Sequence, residues 1–249
     1  RNDREYCGAP DIDSNSCRLC RYVQQRRLQQ PLLERLFENN QLEIASPSQF
    51  TYELWQSRTK ANAPAQIIPP AELDWQAPGH TRYQSGVLRV GFLGYPLDYK
   101  GWDEWMKLVN EAGKSERFRF FQFSSQPGPA GNYLHIETRV TNEDRQAMVE
   151  ALRMNQIDVA VLWSKVAETF SFTMHEALAA GCFILTNPDS GNIQDTIRRN
   201  PERGLILPDF AALLEVFETG AIIENVKKYQ KDGRPRADLV FGSIKEIDR

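Results

Sequence analysis

The chain has 249 residues, of which 41% are hydrophobic and 25% are charged, and its formal net charge is −3. This composition is typical of a soluble globular protein, and the length allows one large domain or one domain with part of a second. The mild negative charge argues against nucleic-acid binding, and the longest apolar runs are too short to span a bilayer.

The first twenty residues are polar and irregular. Charged residues run from Arg1 to Glu5 and no apolar segment follows, so no signal peptide is expected. Because the chain lacks an initiator Met, we expect that Arg1 is not the natural start. Cys17 and Cys20 have the spacing of a zinc half-site or a redox pair, with Cys7 nearby. Structural zinc usually takes four ligands and only three sulfurs are local, so reduced, packed thiols are the favoured interpretation.

Residues 1–68 are predicted to form an incomplete α/β segment. Apolar residues recur at helical spacing over residues 22–39, and short strands are predicted over 42–45 and 66–68 with a second helix between them. Two strands are too few for a complete sheet, so this segment is interpreted as the end of a larger domain. Prolines and a glycine in residues 69–86 predict a linker.

From Val87 the pattern changes to a regular alternation of strands and helices. Strands are predicted over residues 87–94, 117–123, 133–140, 157–163, 182–187 and 204–207, and helices over 101–112, 141–155, 171–180 and 192–199. The alternation predicts a doubly wound parallel sheet, a Rossmann-like domain over residues 87–220, followed by a helix and a weakly patterned tail over 221–249. Such folds bind ligands at the carboxyl ends of strands, near helix N-termini.

Two glutamates flank the predicted start of the helix at Ser171. Glu168 lies in the loop after a buried strand, and Glu176 lies roughly 7–8 Å along the helix axis from Ser171. The helix N-terminus offers unpaired N–H groups that suit a phosphate, with a carboxylate on each side for sugar hydroxyls. This arrangement fits a nucleotide diphosphate sugar. The alternative is that both glutamates are solvated surface residues.

Two glycine-bearing turns are further candidates for a ligand site. Gly94 follows the first predicted strand, and Lys100 could neutralise phosphate charge near it. The turn at Ser190-Gly191-Asn192 opens another helix and could offer backbone donors. Thr141 with Asp144 three residues later resembles a capping box for the helix that follows.

These motifs together resemble a known family. Residues Glu168 to Gly181 resemble the E-x7-E signature of the retaining group 1 (family 4) glycosyltransferases of the GT-B fold. Ser164 and the turn at 190–192 fall where that family has a loop serine and a glycine-rich turn, and residues 94–101 resemble its glycine–basic–x–lysine–glycine turn. The resemblance covers roughly residues 42–218 and implies that the chain is part of a longer two-domain enzyme.

The resemblance also implies residue roles. Glu168 would contact the donor sugar, Glu176 the ribose hydroxyls and Lys100 the diphosphate, with Glu168 and Lys100 as the catalytic pair. The other positions expected in donor binding are Gly94, Tyr95, Thr141, Ser164, Phe170, Ser171 and Phe172. Tyr95 stands where the family usually has arginine, so one phosphate-neutralising charge is missing.

The resemblance implies a nucleotide diphosphate sugar as donor, no cofactor and no metal requirement. The acceptor, a glycan or a lipid-linked molecule, would bind through the rest of the N-terminal domain. The expected location is cytoplasmic, with the full-length enzyme at the inner face of the membrane, in polysaccharide biosynthesis. The alternatives are a non-catalytic sugar-nucleotide-binding domain and a GT-B epimerase or phosphorylase.

Overall fold

The structure is a computed structural model that describes residues 15–18, 20–59, 63–77 and 86–242. In chain order, its helices and strands are α1 (Asn15–Arg18), α2 (Val23–Asn39), β1 (Ile44–Ser46), α3 (Gln49–Gln56), β2 (Ala65–Ile67), β3 (Ala71–Trp75), β4 (Leu88–Leu93), α4 (Trp102–Ala112), β5 (Phe118–Ser124), β6 (Leu134–Glu137), α5 (Ala147–Met154), β7 (Val159–Leu162), α6 (Phe172–Ala179), β8 (Phe183–Thr186), α7 (Asn192–Arg199), β9 (Gly204–Ile206), α8 (Phe210–Glu218), α9 (Ala221–Tyr229) and β10 (Ala237–Phe241).

Six strands form one parallel sheet with the order β6-β5-β4-β7-β8-β9. The chain starts in the middle at β4, proceeds to one edge, and then returns to build the other half from β7 outward. This is the strand order of a Rossmann fold, and the neighbours β4 and β7 mark its topological switch point. The predicted doubly wound α/β fold class is confirmed.

Helices cover both faces of the sheet, as the burial of the strands requires. One apolar core contains residues from α5, α6 and α7, and the other contains residues from α4, α8 and α9. In α4, Trp102, Trp105 and Val109 face the sheet at helical spacing. Trp105 is completely buried and lies near Phe92 and Phe120. Burying a large apolar side chain contributes about 1.5–3 kcal/mol, so these aromatic contacts stabilise the half of the sheet nearest the switch point.

The amino-terminal segment forms a small β-α-β unit in its described part. Strand β1 pairs in parallel with β2, and α3 connects them through a cap in which the Ser48 hydroxyl accepts a hydrogen bond from the Thr51 backbone. The same Ser48 hydroxyl donates to the backbone oxygen of Thr169, 2.6 Å away, which ties the unit to the loop before α6. The described part of this segment is an α/β unit, as expected, and its assignment to the end of a larger domain stays a prediction.

Helix α2 confirms the predicted helix, and its leucines lie on the surface. The described part of α2 contains no buried residue, and its leucines are exposed. The exposed leucines are Leu28, Leu32, Leu33 and Leu36. The helical spacing of apolar residues therefore predicted the helix correctly, but it did not predict whether another segment packs against its leucines.

Two segments expected to lack strands contain them. Strand β3 lies in the predicted linker, and it pairs antiparallel with β10 in the predicted tail. Both strands pack against α6, and Ala71 and Leu239 belong to the core beneath it. The strandless interpretation was wrong because the alternating residues 71–75 find their partner more than 150 residues away, where no local pattern points to it. The domain boundaries themselves stay a prediction.

The capping box at Thr141 is also a correction. Helix α5 begins at Ala147, six residues after Thr141. The Thr141 hydroxyl accepts a hydrogen bond from the Asp144 N–H, and the Thr141 N–H donates to the Asp144 carbonyl. These reciprocal bonds close a separate turn before the helix, so the groups that would cap α5 are already used.

Among the helices that the structure describes, none has the length and apolarity needed to cross a bilayer.

Candidate functional site

Two loops meet at the switch point of the sheet, one after β4 and one after β7. The backbone N–H of Lys165 donates to the Tyr99 carbonyl at 2.8 Å, which joins the loops directly. Gly101 has a φ of +81°, and a Cβ atom added there would lie 2.3 Å from the Trp163 carbonyl oxygen. Only glycine permits this approach, because a side chain would push the two loops apart.

The Lys100 ammonium and the Glu168 carboxylate form an ion pair across these loops. Their Nζ and Oε1 atoms are 2.6 Å apart, and the Ser164 hydroxyl donates to the same carboxylate oxygen at 3.3 Å. The Lys100 side chain is 34% exposed and that of Glu168 is 15% exposed, so the pair is partly accessible to solvent. The structure thus brings together three residues that the sequence proposed separately.

The backbone of Glu168 rests on the turn that precedes α7. Glu168 and Gly191 form an isolated parallel bridge, in which the Asn192 N–H donates to the Glu168 carbonyl at 2.8 Å. Gly191 has a φ of +66°, and an added Cβ would lie 2.7 Å from the Glu168 nitrogen and oxygen. This turn therefore positions Glu168, and the Asn192 N–H that was expected to serve a ligand is already used.

Helix α6 begins at the same place. The Ser171 hydroxyl caps it by accepting a hydrogen bond from the Met174 N–H, and the Ser171 N–H donates to the Asn192 side chain. Among the described residues, the N–H groups of Phe172 and Thr173 have no hydrogen-bond partner. Two open donors at a helix N-terminus form a favourable place for an anion.

The Phe170 and Phe172 rings pack together at this helix start. The Phe170 ring stacks on the His175 ring with centroids 4.3 Å apart, and it meets the Phe172 ring edge-on at 5.0 Å. The His175 Nδ1 atom lies 2.8 Å from the Ser171 carbonyl oxygen, and burial lowers the pKa of this imidazole. His175 is thus held neutral beneath Phe170, which fixes the loop that connects Glu168 to α6.

Glu176 is a buried carboxylate on the second turn of α6. Only 4% of the residue is exposed, and burial raises the pKa of its carboxyl from 4.5 to about 7. Within the described chain its carboxylate makes no hydrogen bond. The alternative that both glutamates are solvated surface residues is wrong for Glu176, because a surface carboxylate would be neither buried nor shifted.

The turn after β4 leaves open space beside its backbone. Gly94 has a φ of +107° and nothing lies within 4 Å of the position that a Cβ would occupy, while its N–H donates to the Phe123 carbonyl. The next residue, Tyr95, is 51% exposed, and its hydroxyl lies 2.8 Å from that of Ser125. Tyr95 therefore reaches over the end of β5 and brings a polar hydroxyl to this turn.

Sequence reasoning missed Lys165, although it directly follows Ser164. Its ammonium lies 2.7 Å from an Asp98 oxygen and 3.1 Å from a Glu104 oxygen. Burial alone would lower the pKa of Lys165, and the two carboxylates outweigh burial, so the pKa is raised. Lys165 therefore anchors the short 3-10 helix (Asp98–Lys100) that carries Lys100.

An acidic cleft of about 570 Å³ adjoins Lys165 on the side of α4 and α8. Its lining contains five carboxylates and two lysines. The charged residues are Asp98, Asp103, Glu104, Asp189, Asp209, Lys107 and Lys165. This excess of negative charge would repel a diphosphate, so electrostatics favour the α6 side of the ion pair for a phosphorylated ligand.

Thr141, Cys17 and Cys20 make their contacts outside this arrangement. Thr141 hydrogen-bonds within its own turn, after the edge strand β6. Cys17 is buried and accepts a hydrogen bond from the Arg26 guanidinium at 3.2 Å, and Cys20 is a free, half-buried thiol. Cys7 lies outside the described residues. In the described part of the chain, no group of three or more His, Cys, Asp or Glu residues could hold a metal ion.

The fold is similar to that of solved proteins at low sequence identity. No protein-family model and no curated protein sequence matches the chain. Sucrose-phosphate synthase from Thermosynechococcus elongatus matches 87% of this chain and 58% of its own length, with a TM-score of 0.60 and 16% identity. TarM matches 83% of this chain and 42% of its own length, with a TM-score of 0.56 and 12% identity.

A third similar structure is WaaG, a glycosyltransferase involved in lipopolysaccharide biosynthesis. It matches 78% of this chain and 57% of its own length, with a TM-score of 0.50 and 15% identity. The chain thus spans about half the length of the proteins it resembles. The parallel six-stranded sheet, its switch point and these similarities together show that the described chain has the Rossmann-like architecture of the GT-B fold.

Proposed function

We propose that the chain binds a nucleotide diphosphate sugar at the switch point and forms the donor-binding part of a retaining glycosyltransferase. The observation that carries this proposal is Glu176, a buried carboxylate without a hydrogen-bond partner among the described residues. A buried carboxylate is costly unless something pairs with it, and ligand hydroxyls would do so. Glu176 stands on a helix whose N-terminus offers open N–H groups, and that helix follows the loop of Glu168, the ion-pair partner of Lys100.

Each part of the donor would be bound by a different group of the protein. The diphosphate would lie against the N–H groups of Phe172 and Thr173, with the Lys100 ammonium neutralising its charge. The ribose hydroxyls would donate to Glu176, and the sugar hydroxyls would donate to Glu168. Phe170 and Phe172 would shield the phosphates from water on one side.

The ion pair between Lys100 and Glu168 is compatible with both roles. An ammonium has three N–H donors, so Lys100 can keep Glu168 and still bind a phosphate oxygen. When the bond between the sugar and the diphosphate breaks, negative charge grows on the leaving phosphate. Lys100 and the N–H groups of α6 would stabilise that charge, as positioned donors do in other active sites. No metal is required for this role.

The proposal also includes the acceptor and the cellular location of the reaction. By its resemblance the chain would take a glycan or lipid-linked acceptor, in polysaccharide biosynthesis, with transfer on the face from which the diphosphate leaves. Such an acceptor fits a cytoplasmic enzyme at the inner face of the membrane. The remaining part of the acceptor-side domain would bind it.

A second candidate is a sugar-nucleotide-binding domain without catalysis. The observation in its favour is Tyr95, which brings no charge to a position where the family has arginine. With Lys100 already paired to Glu168, the diphosphate would meet less positive charge. Binding would then survive while stabilisation of the leaving group would weaken.

Calorimetric titration with a nucleoside diphosphate and with nucleotide sugars tests donor binding. Glu176→Gln should weaken both ligands, because both contain ribose. Glu168→Gln should weaken only the intact donor, because only that ligand carries the sugar. Glu215→Gln, an exposed glutamate on α8, is the matched control. Unchanged affinity in both site variants, with the same melting temperature, would refute the assignment.

Turnover separates the two candidates. Release of nucleoside diphosphate by the full-length protein, with an acceptor glycan present, would identify a transferase. NMR of the anomeric proton in the product would then show whether the configuration is retained. Donor binding without any release would favour the non-catalytic domain.

A further inference from the structure

Three apolar side chains are exposed on the loop after β4 that carries Lys100. Tyr95 is 51% exposed, and Leu97 and Tyr99 are each 38% exposed. Single exposed apolar residues are ordinary on a protein surface, but three within one short loop form an apolar patch beside the candidate site. Of the three, Tyr99 is the residue whose ring lies next to the Lys100 ammonium.

The backbone of Tyr99 is fixed, whereas its side chain is open. Tyr99 lies in the 3-10 helix (Asp98–Lys100), its carbonyl accepts a hydrogen bond from the Lys165 N–H, and the Lys165 ammonium pairs with Asp98 beside it. Among the described residues, the Tyr99 ring meets no other aromatic ring and its hydroxyl makes no hydrogen bond. A ring on a fixed backbone loses little conformational entropy when a ligand covers it.

The Tyr99 ring and the Glu168 carboxylate both lie close to the Lys100 ammonium. The Lys100 Nζ atom is 5.9 Å from the ring centroid and 2.6 Å from Glu168 Oε1. Because the two distances share one atom, the ring and the carboxylate are close enough for one hexose to touch both. All three side chains are accessible to solvent, so a ligand can reach them.

A pyranose ring offers two kinds of surface to a protein. Its hydroxyl groups donate hydrogen bonds to carboxylates, and the C–H groups on its faces are apolar and suit an aromatic ring. We propose that the Tyr99 ring packs against the C–H face of the donor sugar while Glu168 accepts its hydroxyls, which favours a pyranose as the transferred sugar. This inference rests on the proposed function, because it adds a wall to the sugar part of the same site.

A competing role for the ring is to hold Lys100 through its interaction with the ammonium. The 5.9 Å separation lies at the outer limit for a cation–π contact, about 6 Å, which favours the sugar contact. The two roles also predict different losses. A ring that holds Lys100 supports the diphosphate, so its removal weakens nucleoside diphosphate and nucleotide sugar by the same factor. A ring that packs against the sugar matters only when the sugar is present.

Titration calorimetry on the full chain tests this with UDP-glucose, GDP-mannose and ADP-glucose, each compared with its own nucleoside diphosphate. We expect at least one nucleotide sugar to bind. Tyr99→Ala should weaken it about threefold to tenfold and change nucleoside diphosphate affinity by less than about twofold. Tyr99→Phe keeps the ring and should bind like the unaltered chain. Tyr22→Ala removes an exposed tyrosine at the start of α2 and is the matched control.

Equal losses for both kinds of ligand in Tyr99→Ala would overturn the sugar contact and assign the ring to Lys100. No loss in Tyr99→Ala, or an equal loss in Tyr99→Phe, would also overturn it. These outcomes leave the proposed function standing, because the donor still binds. If the unaltered chain binds none of the ligands, the proposed function fails and this inference fails with it. Melting temperatures of the variants show whether the fold is intact.

Discussion

The Lys100 ammonium lies 2.6 Å from the Glu168 carboxylate and joins the first strand of the sheet to the fourth. The two residues are 68 positions apart in the chain, and they meet because β4 and β7 are neighbours at the switch point. Glu168, which we propose binds the donor sugar, thus holds Lys100 in place, and Lys100 is the residue that we propose binds a phosphate. Loss of either partner should affect the other.

Lys100→Met should weaken binding of a nucleoside diphosphate about tenfold to a hundredfold, because a charge-assisted contact contributes about 1.5–3 kcal/mol. Binding of the corresponding nucleoside should change far less, since it carries no phosphate. Titration calorimetry with both ligands measures the difference. Lys114→Met removes an exposed lysine at the end of α4 and serves as the control. Equal losses for both ligands would count against a phosphate contact.

Glu176 should make stability depend on pH. Its pKa is raised from 4.5 to about 7 in the folded chain, so the folded state holds a proton that the unfolded state has lost between these values. Stability therefore falls as pH rises from 4.5 to 7, by about 3 kcal/mol in total. Glu176→Gln should remove this fall. Urea unfolding at pH 5 and pH 8 measures it, and an identical pH dependence in the two proteins would contradict the prediction.

Ribose binding should show the opposite dependence on pH. Hydroxyls donate to the ionised form of Glu176, so nucleoside affinity should rise as pH rises through about 7. In Glu176→Gln the affinity should be weak and should not vary with pH over this range. Titration at three pH values tests this, and a flat profile in the unaltered chain would argue that Glu176 does not contact the ribose.

Lys165→Met should loosen the loop that carries Lys100. The substitution leaves Asp98 and Glu104 without their common cation in a half-buried place, so we expect a loss of about 1–3 kcal/mol in unfolding free energy. Nucleoside diphosphate affinity should fall as well, although Lys165 does not touch the ligand. Adding Glu104→Gln should restore part of the stability. If affinity is unaffected, Lys165 does not position Lys100.

Gly191→Ala should displace Glu168. The added Cβ would lie 2.7 Å from the Glu168 backbone at a φ of +66°, so the substitution combines a clash with conformational strain. Donor-sugar affinity should fall while nucleoside diphosphate affinity falls less. Gly94→Ala is the comparison, because its φ is also positive but its Cβ would enter open space. A larger loss of unfolding free energy in Gly94→Ala would contradict the clash.

Much of the fold could be predicted from the sequence alone, because burial imposes a regular spacing on the apolar residues within each helix or strand. Strand β7 is apolar throughout and α4 repeats its apolar residues at helical spacing, so both were predicted to within a few residues. The spacing from Glu168 to Glu176 is also local, since it involves one loop and the helix that follows it. These features determined the fold class and the position of the candidate site.

Contacts between distant segments were decided only by the tertiary structure. The pairing of β3 with β10, the ion pair of Lys100 with Glu168, the anchoring role of Lys165 and the burial of Glu176 each depend on segments that are far apart in the chain. Sequence patterns report which residues prefer to be buried, and they do not report which segments meet. The sequence therefore determined the helices, the strands and the residues whose side chains could bind a ligand. Strand order and packing determined which of those residues face each other.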